Sequence, residues 1–296
     1  MQYDPTHCTL CPRRCGADRT KAAGVCGGRD GITAARASLH LWEEPPLSGT
    51  NGAGTVFFSG CPLHCRFCQN AVISQDLTGK RISAERLGEI FLELQAQGAH
   101  NIDLVTAGHE LPYVIEALQA VKSELTIPVV YNSGGYETVE AIRALEGLVE
   151  IYLPDFKFFS SETAKQYANA PDYPAIAEDA LREMLRQVGK PQFSGNLMTR
   201  GVIVRHLVMP GHRHESMELL RHLADTFGTD TFLLSLMSQY TPMRHDPVFP
   251  ELNRRITKME YRSVANLAAE LGFQGFTQDP SSAQQSYTPD FAFQGL

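Results

Sequence analysis

The sequence has a single tryptophan in 296 residues and no cysteine beyond residue 68. An odd set of seven thiols confined to one end of a chain excludes a disulfide framework spread through the fold. No apolar run approaches the ~20 residues of a membrane-spanning helix, and Met1 to Arg14 lack the apolar core of a secretory signal. The expectation is a cytoplasmic protein with no membrane partner. A basic excess is missing as well. Lys and Arg number 26 against 33 Asp and Glu, a net charge of −7, which argues against a nucleic-acid partner. Residues 1–40 run the other way, with Arg13, Arg14, Arg19, Lys21, Arg29 and Arg36 against Asp4, Asp18 and Asp30; a solvated basic face accounts for them. With 24 Gly and 17 Pro the chain is neither collagen-like nor of low complexity.

What is present is concentrated in the cysteines. They split into Cys8, Cys11, Cys15 and Cys26, spaced C-x2-C-x3-C-x10-C, and Cys61, Cys65 and Cys68, spaced C-x3-C-x2-C. A [4Fe–4S] cluster normally takes four Cys ligands. Three thiolates in one tight loop leave one iron without a protein ligand, and an open metal position marks a catalytic rather than a structural centre. The first four close a site of their own. Cys8-x2-Cys11 is a common zinc knuckle, with Gly16, Gly24 and Gly27 permitting tight turns around it. Cys11-Pro12 equally suits a cluster-binding loop. Structural zinc and a second [4Fe–4S] cluster both stay open for this N-terminal metal centre.

The rest of the chain alternates. Short apolar strands are expected at 55–59, 101–106, 127–132, 150–157, 201–209, 231–237 and 273–277. Amphipathic helices are expected at 83–97, 111–121, 138–145, 174–188, 215–227 and 258–271. Strands apolar on both faces, separated by helices, predict an α/β fold with a parallel sheet. Six or more such units suit a curved or closed barrel, with chemistry at the C-terminal strand ends, where the three-cysteine loop falls. Residues 1–50 read as a loop-rich, Cys-rich extension, 51–280 as the barrel, and 281–296 as an irregular tail that caps the core.

The motif Cys61-x3-Cys65-x-Phe67-Cys68 resembles that of radical S-adenosylmethionine (SAM) enzymes. Further segments carry the resemblance over about residues 8–280: Cys68-Gln69-Asn70, Leu104-Val105-Thr106, Tyr131-Asn132-Ser133-Gly134-Gly135-Tyr136, Leu153-Pro154-Asp155-Phe156-Lys157, Arg205-His206-Leu207-Val208-Met209-Pro210-Gly211 and Met237-Ser238-Gln239-Tyr240. Together they are similar to the branch of pyruvate formate-lyase activating enzyme-like iron–sulfur proteins. The resemblance implies a partial (β/α)6 TIM-like barrel and an oxidoreductase with a [4Fe–4S] cluster on Cys61, Cys65 and Cys68. SAM would chelate the open iron. A low-potential donor of the flavodoxin or ferredoxin type would reduce the cluster. SAM would then be cleaved to methionine and a 5′-deoxyadenosyl radical that abstracts hydrogen.

The resemblance also assigns roles to residues. Phe67 lies by the adenine. Thr106, Gly108, His109 and Glu110 occupy the place of the family's Gly-Gly-Glu motif, with His109 replacing a Gly. Asn132, Ser133 and Asp155 stand near the SAM carboxylate, where activating enzymes hold a monovalent cation, although Asn132 replaces one of the usual carboxylates. Lys157 suits the SAM carboxylate. Arg205 and His206 are adjacent on a strand, so their side chains face opposite ways and one of them points into the barrel. Gln239 and Tyr240 close over ribose or substrate. The ferredoxin-like insertion that follows the cluster motif in the family is absent. The leading implied activity is activation of a glycyl radical enzyme by abstraction of a backbone glycine hydrogen. The same radical acting on a small molecule, peptide or RNA is the alternative. A non-catalytic module with two zinc sites is the third reading, which the three-cysteine spacing opposes.

Overall fold

A computed structural model describes residues 3–278 and 290–296. The chain runs β1 (Ile32–His40), α1 (Pro45–Ser48), β2 (Ala53–Phe58), α2 (Ala71–Ser74), β3 (Lys80–Ile82), α3 (Ala84–Ala96) and β4 (Ile102–Val105). It continues through α4 (Leu111–Val121), β5 (Val129–Ser133), α5 (Val139–Ala144), β6 (Ile151–Pro154), α6 (Ser161–Ala168) and α7 (Tyr173–Val188). The last elements are β7 (Gln192–Ser194), β8 (Leu197–Leu207), α8 (Arg213–Phe227), β9 (Leu233–Met237), α9 (Lys258–Leu271) and β10 (Gly275–Thr277). The strands order as β10-β9-β8-β6-β5-β4-β2-β1-β3, with β7 hairpinned onto β8.

The six strands β2, β4, β5, β6, β8 and β9 pair in parallel, each with the next. This is the expected partial barrel of six βα units, and among the described residues its sheet stays open, ending on β10 and β3. Parallel strands need both faces covered, and the sequence provides for it: all six residues of β2 and all four of β4 and β6 are buried. The covering helices start where capping side chains occur. Ser83, Thr138 and Ser160 accept a backbone N–H of the first turn, and Thr257 forms a capping box with Glu260.

Six elements depart from the sequence reading: β1, α6 and the short α1, α2, β3 and β7. Residues 32–40, read as loop, form β1, which runs antiparallel to β2 and ties the N-terminal segment into the sheet. Its pattern is hard to read because a bulge lies between Ala34 and Arg36, and Ala is a weak strand former. Residues 161–168 form α6, a short helix capped by Ser160 that the sequence reading did not place. Of the expected tail, residues 281–289 lie outside the described residues, and 290–296 lie against β1. Ala37 N–H donates to the Gln294 carbonyl at 2.8 Å, and Phe291 packs edge-on to Phe57. Among the described residues no helix is long and apolar enough to cross a membrane.

Candidate active site

The loop after β2 carries the three cysteines to the C-terminal end of the parallel strands. Gly60 makes this turn possible. Its φ is +97°, and a Cβ there would stand 2.5 Å from the Cys26 carbonyl oxygen. Cys61 N–H donates to that same carbonyl at 2.9 Å. Cys68 N–H donates to the Cys65 carbonyl at 3.1 Å, and Ser74 Oγ stands 3.2 Å from Cys68 Sγ.

All three cysteines line a cavity of about 250 Å³ in the barrel interior. The parallel strands add to it at or near their C-terminal ends: Thr106 after β4, Asn132 and Ser133 on β5, Asp155 and Lys157 after β6, Arg205 on β8 and Gln239 after β9. Phe67 completes the wall, edge-on to Phe158 at 6.0 Å between centroids and tilted against Tyr240 at 6.2 Å. Thr106 adopts φ +62°, a left-handed conformation costly for a β-branched residue and typical of functional turns.

The polar side chains form one network. Arg205 Nε donates to Asp155 Oδ1 at 2.8 Å and Nη2 to Asn132 Oδ1 at 2.6 Å, while Lys157 Nζ pairs with Asp155 Oδ2. Burial alone would raise the Asp155 pKa, but Arg205 and then Lys157 outweigh it and hold the carboxyl below its usual range. Burial likewise opposes the Lys157 charge, and Asp155 restores it, so the ammonium stays charged. The neighbouring basic pair divides as alternation requires. Arg205 faces the cavity, while buried His206 turns away, its Nδ1 2.7 Å from the Phe156 carbonyl and its Nε2 2.8 Å from Ser216 Oγ.

Gly108, His109 and Glu110 do not line the cavity; they form a buried turn behind its wall. His109 Nε2 lies 2.7 Å from the Ser59 carbonyl, the Arg19 guanidinium donates to the His109 carbonyl at 2.5 Å, and Glu110 accepts the Thr33 N–H at 2.9 Å. Their contacts hold the wall to β1 and to the cysteine loop. Tyr240 donates its hydroxyl to the Leu252 carbonyl at 2.8 Å, and Gln239 Oε1 accepts from Gln278 at 3.1 Å.

Sequence reasoning missed the opposite end of the cavity. Glu43 and Glu44 lie between β1 and α1 and line its floor, and Asp103 on β4 stands beside Glu43. Signals for them existed: adjacent acids before Pro45-Pro46, and one acid in the apolar run Ile102-Asp103-Leu104-Val105.

The N-terminal cysteines gather on the outside of the same loop. Cys8, Cys11 and Cys26 are buried and Cys15 is exposed. A Cβ on Gly24 would lie 3.5 Å from Cys15 Sγ and 3.7 Å from Cys26 Sγ, and Gly28 N–H donates to Cys26 Sγ at 3.3 Å. Among the described residues no group of three or more His, Cys, Asp or Glu side chains stands in metal-ligating geometry. The donor chemistry around the cavity nonetheless suits an iron–sulfur cluster. Burial, then the neighbouring Cys68, pushes the Cys61 thiol up to about 11, and burial raises Cys65 too. Thiols so placed ionise only beside a strong cation, which iron provides.

With this geometry in view, the relatives are informative. The family model of the radical SAM superfamily matches residues 55–225. An uncharacterized protein of Methanocaldococcus jannaschii is 30% identical over 270 residues, covering 88% of this chain and 74% of that protein. A radical SAM methyltransferase from Sphaerobacter thermophilus has a similar fold, with TM-score 0.52 and 15% identity over 76% of this chain and 66% of its own. Methylornithine synthase is similar in fold at TM-score 0.50 and 15% identity, over 73% of this chain and 60% of its own. The chain therefore spans less than two thirds of the length of these two solved proteins. The matched residues run from β2 into α8 and contain the three-cysteine loop and its facing strand ends; on that ground the chain belongs to the radical SAM superfamily.

Proposed function

We propose that Cys61, Cys65 and Cys68 hold a [4Fe–4S] cluster, that SAM binds beside it in the cavity, and that the protein removes hydrogen from a small substrate seated deeper in the barrel. One observation carries the reading: the three cysteines share a single buried cavity with Asn132, Asp155, Lys157 and Arg205. When bound, the cluster and SAM supply a 5′-deoxyadenosyl radical, after one electron arrives from a flavodoxin- or ferredoxin-type donor.

The chain's own residues bind, orient and exclude water. Phe67 offers an apolar face for the adenine ring, backed by Tyr240. Lys157 reaches the SAM carboxylate, held in place by Asp155, and Asp155 is fixed in turn by Arg205. Leu63, Val105, Leu207 and Met209 keep the interior dry, which protects a reactive intermediate from solvent.

Two substrate readings are separable. The resemblance to activating enzymes supports a glycyl radical enzyme as the protein partner. The carboxyl-lined floor supports a small molecule, since a backbone glycine brings no charge to meet it. Electron paramagnetic resonance of a reduced mixture with a candidate partner separates them, because a persistent carbon-centred glycyl signal would favour the activating role. The cysteine assignment has its own test. Changing Cys61, Cys65 and Cys68 together to Ala should remove about four irons per chain and abolish reductive SAM cleavage. Cleavage retained in that variant would sink the proposal.

A further inference from the structure

The floor of the cavity holds more carboxyl groups than its cations can pair. Glu43, Glu44 and Asp155 line it with Arg205, Lys157 and His40, whose Nε2 lies 4.0 Å from Glu43 Oε1, and Asp103 stands behind Glu43. Both cations are directed at Asp155, and Arg205 reaches only one other acid, Glu43, at 3.7 Å. Glu43 lies within hydrogen-bonding reach of both Glu44 and Asp103, an arrangement that repels unless protons or a cation intervene.

Two atoms are left over. Glu44 Oε2 and Asp103 Oδ1 are fully buried and have no hydrogen-bond partner among the described residues. Glu44 is 9% exposed and lines the cavity. A buried, unpartnered carboxyl oxygen is costly, so its presence on a cavity floor points to a ligand that meets it.

We infer that Glu44, with Glu43 and Asp103, receives the ammonium group of a small aliphatic amine, the substrate of this enzyme. Two features narrow the class. The carboxyls approach from different elements, the loop after β1 and strand β4, which suits three tetrahedral N–H donors better than the flat fork of a guanidinium. Phe57, Leu207 and Met237 line the same cavity, so the ammonium arrives on an alkyl arm. SAM also carries an ammonium, but its proposed place is beside the cysteine loop, with Lys157 and Asp155 standing between it and Arg205. Burial, then Glu43, raises Glu44 to about 7 even though Arg205 opposes the shift, so the floor is poised to ionise when a cation enters.

This inference rests on the reading of the barrel interior as the site of hydrogen abstraction, and its test is kept separate from that reading. The full chain, reconstituted anaerobically with cluster and SAM, is titrated calorimetrically with n-butylammonium chloride. Saturable binding is expected, with none for n-butanol, which has the same arm without charge, and weaker binding for tetramethylammonium, which has the charge without N–H donors. Glu44→Gln should weaken butylammonium binding by about 10-fold or more; Asp103→Asn is the second variant if the first does not fold. The butylammonium and butanol comparison needs no variant at all. Absence of saturable binding, or equal binding in both variants, overturns the inference. So does a loss of SAM affinity in Glu44→Gln equal to the loss of amine affinity, which would give the floor to SAM. Preferential binding of acetyl-Gly-Lys-Gly-amide would replace the small amine with a peptide lysine and overturn it too. SAM cleavage by the reduced wild-type protein is followed in parallel without amine; its absence would refute the enzyme reading and leave the heat measurement standing.

Discussion

At the scale of single residues, burial decides what each titratable group does. His109 is fully enclosed. Burial, with Arg19 opposing the charge as well, lowers its pKa to about 4 although hydrogen bonds to Ser59 and Thr106 work the other way. The folded state therefore binds this proton more weakly than the unfolded chain. The neutral imidazole supports the fold above pH 6.5, and that support is lost as pH falls from about 6.5 to about 4, by roughly 3 kcal/mol at full extent. His109→Asn should flatten that part of the stability curve, as read by urea unfolding at several pH values; an unchanged curve would mean that other groups carry the acid sensitivity. Lys157 is the opposite case, a buried cation kept charged by Asp155. Loss of a charge-assisted contact costs about 1.5–3 kcal/mol, or roughly 10- to 150-fold in affinity. Lys157→Ala should weaken SAM binding by about that factor with the cluster signal intact. Wild-type affinity in an anaerobic titration would reduce Lys157 to a structural partner of Asp155.

At the scale of elements, the parallel strands and their helices were legible because each carries a repeating signal that burial enforces. The strand 101–106 appears as Ile102–Val105, and the helix 258–271 appears unchanged as Lys258–Leu271. Period and capping residues coincide there. Among the elements missed, β1 flanks β2, and its small residues Ala34, Ala35 and Ala37 are buried without a strong apolar alternation. The site divides in the same way. Cysteine spacing has meaning at short range and was readable, as was the row of polar residues at strand ends. The placement of Gly108, His109 and Glu110 behind the wall, and of Glu43 and Glu44 on the floor, depends on how β1 and its following loop close the barrel. Sequence-local reasoning has no access to that long-range packing. The capping box offers an element-scale check. Thr257→Ala should lower stability by about 1 kcal/mol without removing any residue that lines the cavity, measured as a lower unfolding temperature with unchanged cluster absorbance.

At the scale of the whole molecule, the N-terminal segment is a clamp on the three-cysteine loop. Arg13 donates to the Pro62 carbonyl at 2.9 Å and, on the adjoining α6, to the Ala168 carbonyl at 2.8 Å. Cys61 N–H holds the Cys26 carbonyl at 2.9 Å, and His64 Nε2 lies 2.7 Å from the Val25 carbonyl. Arg19, 1% exposed, bridges this segment to the turn at His109. Such a segment has little apolar core of its own, and small loop-rich units of this kind depend on a metal or a disulfide to hold their shape. We propose that the four thiols Cys8, Cys11, Cys15 and Cys26 are the ligands of a separate closed centre, zinc or a second cluster. If that centre orders the clamp, Cys8→Ala should loosen the loop that carries Cys61 without removing a ligand of the catalytic cluster. The expected outcome is lower thermal stability and slower SAM cleavage, with the catalytic cluster's iron retained. Limited proteolysis should then cut within residues 3–31 faster than in the wild-type protein. Metal analysis of fully loaded protein that found neither zinc nor iron beyond one cluster would remove the second centre. A Cys8→Ala variant with wild-type stability, turnover and protease resistance would show that packing alone holds the clamp.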